Sequence, residues 1–344
     1  MKSTLMAILV LSAVFSAQAQ EAYQAPRVTE SLLLDIDHTD FVVAVGERGH
    51  ILTSTDGEVF NQQAVPTTTT LTAVTVLGDK VWAAGHDATI LYSADKGKTW
   101  VVQMAKPELE KPFFDITFFN AQQGIAVGAY GLFFRTNDGG STWKQELHAS
   151  ILSAMDQEYL EEVKQDSPEY YEEELSLILP HFNKLRVIND KLYLVGEAGL
   201  VAISDNMGAS WQRLEMEYQG SFQDVALIND STIMLAGLRG NVFVQRNNEG
   251  WEQVPTCLSG TLNSILTDNS DAIKLYGNNG MMVTLEQPID AVSYDPWAAP
   301  GQCTPAKGFT AQQTKDKASI VNVTRFNGHL IAVTANGIQQ LETE

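Results

Sequence analysis

A ring of seven small antiparallel sheets, a β-propeller, is the fold the sequence predicts. Three observations carry that reading. First, one phrase recurs along the chain: apolar strand, Gly, two variable residues, Gly, second strand, then a polar turn closed by an aromatic residue. Second, its first glycine slot is filled at Gly46, Gly85, Gly128, Gly196, Gly237 and Gly277, with Thr334 in the seventh copy. The second slot holds Gly49, Gly131, Gly199, Gly240, Gly280 and Gly337, with Ala88 in the second copy. Third, the first slots lie 39, 43, 68, 41, 40 and 57 residues apart. Four of these intervals match a four-stranded blade of about 40 residues, and the two long ones hold insertions. Seven copies imply seven blades in one domain over residues 20–344.

Composition removes other classes. The 344 residues are 44% apolar, enough for a real core. Lys and Arg number 22 against 42 Asp and Glu, a net charge of −20. That balance argues against nucleic-acid binding and against electrostatic docking on anionic lipid. Two cysteines build neither a disulfide scaffold nor a four-thiolate zinc site.

The elements follow in order. Lys2, an apolar run over residues 5–15 and Ala17-Gln18-Ala19 read as a secretory signal peptide over residues 1–19, cleaved after Ala19. The run is too short to span a bilayer, so the expected product is soluble, exported and periplasmic. Residues 24–29 precede the first copy. The last copy shows only three strands, at 320–324, 329–333 and 337–341, so residues 24–29 are expected to supply its fourth and close the ring. Residues 41–45 and 125–127 typify the second strand of each copy, apolar almost throughout because a blade is covered on both faces. Gly-x-x-Gly is read as a tight reversal that needs positive φ.

The polar turn is sharpest at residues 93–100, with Asp95 and Trp100, and at 136–143, with Asp138 and Trp143. A weaker copy spans 204–211, with Asn206 and Trp211, and shortened ones end at Phe60 and Trp251. The Asp or Asn oxygen accepts turn N–H groups, and the Trp is expected to bury its ring and find a partner for its indole N–H.

This turn resembles the Asp-box of bacterial-neuraminidase-type repeats. With residues 114–119, Gly124, Gly128, Gly131 and the turn from Asp138 to Trp143, the chain is similar to the photosystem II stability and assembly factor family over about residues 24–341. The resemblance implies a non-enzymatic propeller that binds an unassembled membrane protein on the exported side of a membrane. Photosynthetic members are expected to use an arginine-rich surface, and this chain differs in carrying an acidic arm. The expected function is therefore a periplasmic monomer that assists assembly of an envelope protein complex. The alternative is a carbohydrate-active Asp-box propeller, a glycoside hydrolase or glycan binder.

Two insertions stand out, at about residues 147–180 and 287–317. Residues 151–180 hold nine carboxylates, among them Glu161, Glu162, Glu172, Glu173 and Glu174, against Lys164 alone, a net −8. Ile151, Met155, Tyr159 and Val163 recur every four residues and predict one face of an amphipathic helix. Ser167-Pro168 starts a second helix, lined by Tyr171, Leu175 and Leu179. The bland reading is a solvated hairpin packed on the propeller; the functional one is a docking arm for a partner. The second insertion holds Cys303. In an oxidising compartment it is expected to pair with Cys257.

Catalytic motifs are missing. There is no His-Glu-x-x-His, Gly-x-Ser-x-Gly or phosphate-binding Gly-rich loop. The six histidines are scattered and read as surface or turn residues. No catalytic residue, metal site or cofactor is assigned. Asp35, Asp115, Asp224 and Asn322 occupy equivalent slots on the inner strands, where Ala73, Leu185 and Ser264 stand in other copies. Paired carboxylates permit glycoside hydrolysis, but repetition at one slot favours a structural role, binding backbone amides of the next blade. The candidate binding surface is the face of the Gly-x-x-Gly turns. Its variable residues include Glu47, Arg48, His86, Asp87, Tyr130, Glu197, Arg239, Asn278, Asn279 and Asn336, a mixed polar rim suited to a peptide or protein. The acidic arm and Cys257 are expected on the same face.

Overall fold

The computed structural model describes residues 21–267, 272–297 and 303–342. The signal segment expected over residues 1–19 lies outside them. Seven sheets follow one another around a ring. In the first blade the strands Leu33–His38, Val42–Gly46, Ile51–Ser54 and Asn61–Gln62 run antiparallel from the central channel outward. The other inner strands are Leu71–Leu77, Phe113–Phe118, Phe182–Ile188, Phe222–Asn229, Leu262–Leu266 and Ile320–Phe326. The second strand Val42–Gly46 is buried at every position, as expected for a layer between two neighbours.

Blades pack through the box turns. Trp100 of the second blade sits among Phe41 and Val43 of the first, and Trp211 of the fourth packs with Ile125 and Phe133 of the third. The boxes of the first four blades keep one bonding pattern, in which a Ser or Thr Oγ accepts from the turn glycine. Asp95 Oδ1 accepts from Lys98 N at 3.1 Å and Thr99 N at 2.9 Å, while Ser93 Oγ accepts from Gly97 N. The shortened copy does the same: Asp56 accepts from Glu58 N and Val59 N, and Ser54 Oγ from Gly57 N. The indole expectation holds for Trp100, whose Nε1 donates to Gly97 O at 2.8 Å. It fails for Trp143, Trp211 and Trp251, whose buried N–H groups meet no protein acceptor among the described residues; their rings are placed by packing against neighbouring side chains.

The glycine expectation needs correction at the first slot. Gly46, Gly128 and Gly237 have extended φ near −170°. What the slot requires is the absence of a side chain: a Cβ on Gly237 would stand 2.1 Å from Ser221 O. That carbonyl enters from the preceding blade connection and accepts from Leu238 N at 2.9 Å. Positive φ belongs to the second variable residue and the second glycine, as at Arg239 (57°) and Gly240 (71°).

Ring closure also differs from expectation. Among the described residues the last blade has three strands, Ile320–Phe326, His329–Thr334 and Gly337–Leu341. Residues 24–29 form no strand. Ala22 and Ala25 bond Val65 and Gln62 of the first blade, and a single turn, Val28–Glu30, touches the last strand at Gly337. The ring closes instead through its inner layer, where Asn322 Nδ2 donates to Asp35 Oδ1 at 2.6 Å and Thr324 Oγ1 meets His38 Nδ1 at 2.8 Å. An apolar cluster of Phe326, Ile331, Leu33 and Val42 backs that seam.

The second insertion is partly sheet. Val292–Ser293 adds a fifth strand to the fifth blade, and Phe309–Gln313 is the fourth strand of the sixth. Cys257 and Cys303 are joined, Cα–Cα 5.6 Å, and so tie the end of one blade to the loop that feeds the next.

Candidate functional site

The central channel opens on the Gly-x-x-Gly face into a cavity of about 530 Å³. Its wall is built from the starts of the inner strands. The slot carboxylates point sideways into the next blade. Asp35 Oδ2 accepts from Val74 N at 2.9 Å, Asp115 Oδ2 from Leu185 N at 2.7 Å, and Asp224 Oδ2 from Ile265 N at 2.9 Å. Where a carboxylate is missing, other polar groups bridge. Thr72 Oγ1 donates to Phe113 O at 2.6 Å, Asn183 Nδ2 to Phe222 O at 2.8 Å and Ser264 Oγ to Asn322 Oδ1 at 2.8 Å. Every blade-to-blade step thus carries a polar link at the channel wall, the structural role that repetition favoured.

Two cations complete the wall, and the sequence reading missed both. Lys184 Nζ lies 3.0 Å from Asp115 Oδ1, and Arg186 Nε 3.1 Å from Asp224 Oδ1. Burial works against both charges, but Asp115 and Asp224 outweigh it and hold each cation above its ordinary pKa. The signal was the alternation around Leu185. Leu185 faces the apolar layer between blades, so its neighbours on either side face the channel. Asp37 lies deeper, accepting from His38 N and Val76 N; burial pushes its carboxyl up to about 6.

These bonds decide what the carboxylates can do. Both oxygens of Asp35, Asp115 and Asp224 are occupied by amides or cations. A glycosidase needs one carboxyl carrying a transferable proton opposite a second, free one; this arrangement leaves neither oxygen pair free. No group of three or more His, Cys, Asp or Glu among the described residues is arranged to hold a metal.

The turn residues do not form one ring around the opening. Of the predicted set, only Glu197 and Asn278 line the cavity, with His181 beside them. Both stand at the first variable position. The second position has positive φ at Arg48, Asp87, Tyr130, Arg239 and Asn279, and none of these lines the cavity. Glu47 bonds Leu32 N, and Asn336 bonds Asp316. His86 is exposed. Tyr130 is 56% exposed, packed on His181 at 4.4 Å, and its N–H donates to His181 Nδ1. His50 is a turn residue, its N–H donating to Glu47 O at 2.9 Å, and it is buried, which lowers its pKa.

The acidic arm packs where expected, on the same face. Helix α1 spans Ala154–Asp166 and α2 spans Tyr171–Ile178. Pro180 O accepts from Gly131 N of the third-blade turn, and Thr256 beside Cys257 bonds Gly240 O of the fifth. Ser153, not anticipated, caps α1 through Asp156 N. Pro168 opens a single turn ahead of α2. Leu175 and Leu179 are buried as expected. The predicted face of α1 is wrong. Ile151 is buried but precedes the helix, Met155 and Tyr159 are exposed, and Leu160 is the residue that enters the core. A helix this acidic anchors through one leucine and through its partner helix, so spacing alone chose the wrong stripe. Glu161, Glu162, Glu172 and Glu173 face solvent, and Glu174 accepts from Tyr159 Oη at 3.0 Å.

With the geometry in place, the chain can be compared with known proteins. The family model described as Photosynthesis system II assembly factor YCF48 matches residues 101–271. The chain is similar to this family over that stretch, just under half of its length. A relative, the photosystem II assembly protein Ycf48 of a Synechococcus species, is 34% identical over 55 residues. That match spans 16% of either chain. A solved structure titled "YCF48 bound to D1 peptide" aligns over 94% of this chain and 97% of its own, at 15% identity and a TM-score of 0.64. An ancestral GH74 enzyme shares the architecture over 91% of this chain and 44% of its own, at 14% identity and a TM-score of 0.56. Likeness at such identities speaks for the fold, a seven-bladed propeller. Among the described residues no helix is long and apolar enough to cross a membrane.

Proposed function

We propose that this propeller is a non-enzymatic assembly factor that binds a protein, and that its client is an envelope membrane protein met after export. The family match over residues 101–271 carries the reading. A YCF48 protein with a bound D1 peptide supports a polypeptide ligand. The face itself supports it too. The cavity offers Asn183, Gln223, Asn263 and Asn278, side chains that bond peptide groups without a net charge, with Arg186 beside them. Next to it the arm presents Met155, Tyr159, Tyr170 and Leu177, all exposed, among carboxylates, a surface suited to a basic amphipathic segment. Export rests on the signal-like residues 1–19. N-terminal sequencing of protein recovered from the periplasm is expected to begin at Gln20, and an unprocessed cytoplasmic chain refutes that part.

Crosslinking in the intact envelope followed by purification tests the rest. Recovery of one membrane protein in stoichiometric yield is expected. Hydrolysis of an oligosaccharide panel with no protein partner overturns the proposal. Replacing residues 153–178 by a short linker is expected to lower partner recovery at least tenfold while the propeller stays folded. Unchanged recovery removes the arm from the interface.

A further inference from the structure

The seventh blade ends one strand early. Among the described residues its sheet stops at Gly337–Leu341, while each of the other six carries a fourth strand outside the third. The third strands are comparable at one slot, the residue paired with the one before the first glycine position. That residue is Ile51 in the first blade, Phe133 in the third, Val201 in the fourth and Ile338 in the seventh. In the first three cases its carbonyl accepts an N–H from the outer segment. Gln63 N lies 2.9 Å from Ile51 O, Glu146 N 3.0 Å from Phe133 O and Leu214 N 2.8 Å from Val201 O.

At Ile338 no such donor is present among the described residues. Antiparallel pairing alternates inward and outward groups, so the backbone of Gln340, two residues on, faces the same empty side. The turn Val28–Glu30 lies against the start of this edge, near Gly337 and Ile338, and Gln340 is exposed, its Nε2 donating to Gly57 O of the first blade at 3.0 Å. A row of donors and acceptors two residues apart is matched by an extended backbone and by little else. Ile338 shares an apolar cluster with Ala25 and Phe60, which suits an apolar residue at one position of an incoming strand. Gln339 and Gln340 impose no charge.

We propose that this edge receives an extended, proline-free segment of the client polypeptide, added antiparallel to Gly337–Leu341 as the fourth strand of the seventh blade. The proposal rests on the assembly-factor reading for the existence of a client and adds where and how a segment of it is held.

The test is amide hydrogen exchange of the full chain, read residue by residue by NMR. The probe is a synthetic peptide with the sequence of residues 308–314, which includes the outer strand of the sixth blade. At saturation it is expected to slow exchange at Ile338 and Gln340 at least tenfold. The same peptide with alternate backbone amides N-methylated is expected to slow neither. In parallel, Gln340→Pro removes one outward donor and leaves the inner ladder intact, while Gln340→Ala loses only the side-chain bond from Nε2 to Gly57 O; client recovered from the envelope should fall at least tenfold for Gln340→Pro and not for Gln340→Ala. If Gln340→Pro fails to fold, the pair of peptides decides. Equal protection by both peptides, or by neither, overturns the proposal. So does protection without peptide that vanishes on removing residues 1–20, or that appears only with a dimer's mass, since the occupant is then this chain. Client recovery that survives Gln340→Pro, with no peptide effect, refutes the edge and leaves the assembly-factor reading standing.

Discussion

Replacing Asp224 by alanine separates a structural carboxylate from a catalytic one. Asp224 is 1% exposed and serves four donors: Val225 N and Ile265 N at 2.9 Å, Arg186 Nε at 3.1 Å and Arg186 Nη2 at 3.4 Å. Alanine leaves two buried amides unmet, each costing about 1–2 kcal/mol. The Arg186 side chain is 40% exposed, so water recovers most of its lost pairing and that part adds about 1 kcal/mol or less. The expected loss is about 3–4 kcal/mol. Arg186→Met alone is expected to cost about 1 kcal/mol, because Asp224 keeps both amides. The double mutant should be less destabilised than the sum of the two, since each substitution already removes the shared ion pair. The assay is urea unfolding at pH 7, followed by circular dichroism and Trp fluorescence, with coincident transitions required before free energies are compared. A loss below about 1 kcal/mol, or a gain in stability of the kind often seen when a functional carboxylate is removed, refutes the stapling argument.

Three further outcomes follow from the same geometry. Gly237→Ala drives a Cβ to 2.1 Å from Ser221 O and should destabilise by more than about 2 kcal/mol in urea, whereas Gly250→Ala, with nothing within 4 Å, should change stability by less than about 0.5 kcal/mol. Asp37 has its carboxyl raised to about 6 by burial, so the folded state holds a proton that the unfolded state has lost. Stability should fall as pH rises from about 4 to about 6, by at most about 3 kcal/mol, and level off above that; Asp37→Asn should flatten this slope in urea midpoints measured from pH 3.5 to 7. Reducing the Cys257–Cys303 bond, which spans 46 residues, should lower stability by up to about 4 kcal/mol, seen as a lower thermal midpoint in dithiothreitol that Cys303→Ser reproduces.

Much of this molecule was readable from local chemistry. The box turns depend on bonds within five residues, such as Ser93 Oγ to Gly97 N and Asp95 to Thr99 N, so they appear as contiguous motifs. Even the copy at Asp56, shortened in sequence, makes the same bonds. The site was less readable. Glu197 and Asn278 follow from the turn pattern, whereas Lys184 and Arg186 flank a repeat slot filled by Leu185, whose apolar side chain carries no sign of the cations on either side. The stripe on α1 failed for a related reason: period alone does not say which side a weakly apolar helix turns to its support.

The sequence by itself determined the count of blades, the turn that joins each pair of strands and the places where the ring was interrupted, because those depend on residues close together in the chain. Tertiary structure alone decided which carboxylate reaches which amide 39 to 70 residues away, how the ring closes between Asn322 and Asp35, and that among the described residues no fourth strand covers the last blade. Those outcomes depend on where distant backbones end up. The segment at 24–29 had the length and position for the missing strand, but it bonds to the outer side of the first blade, and only the assembled ring shows which of the two edges it takes.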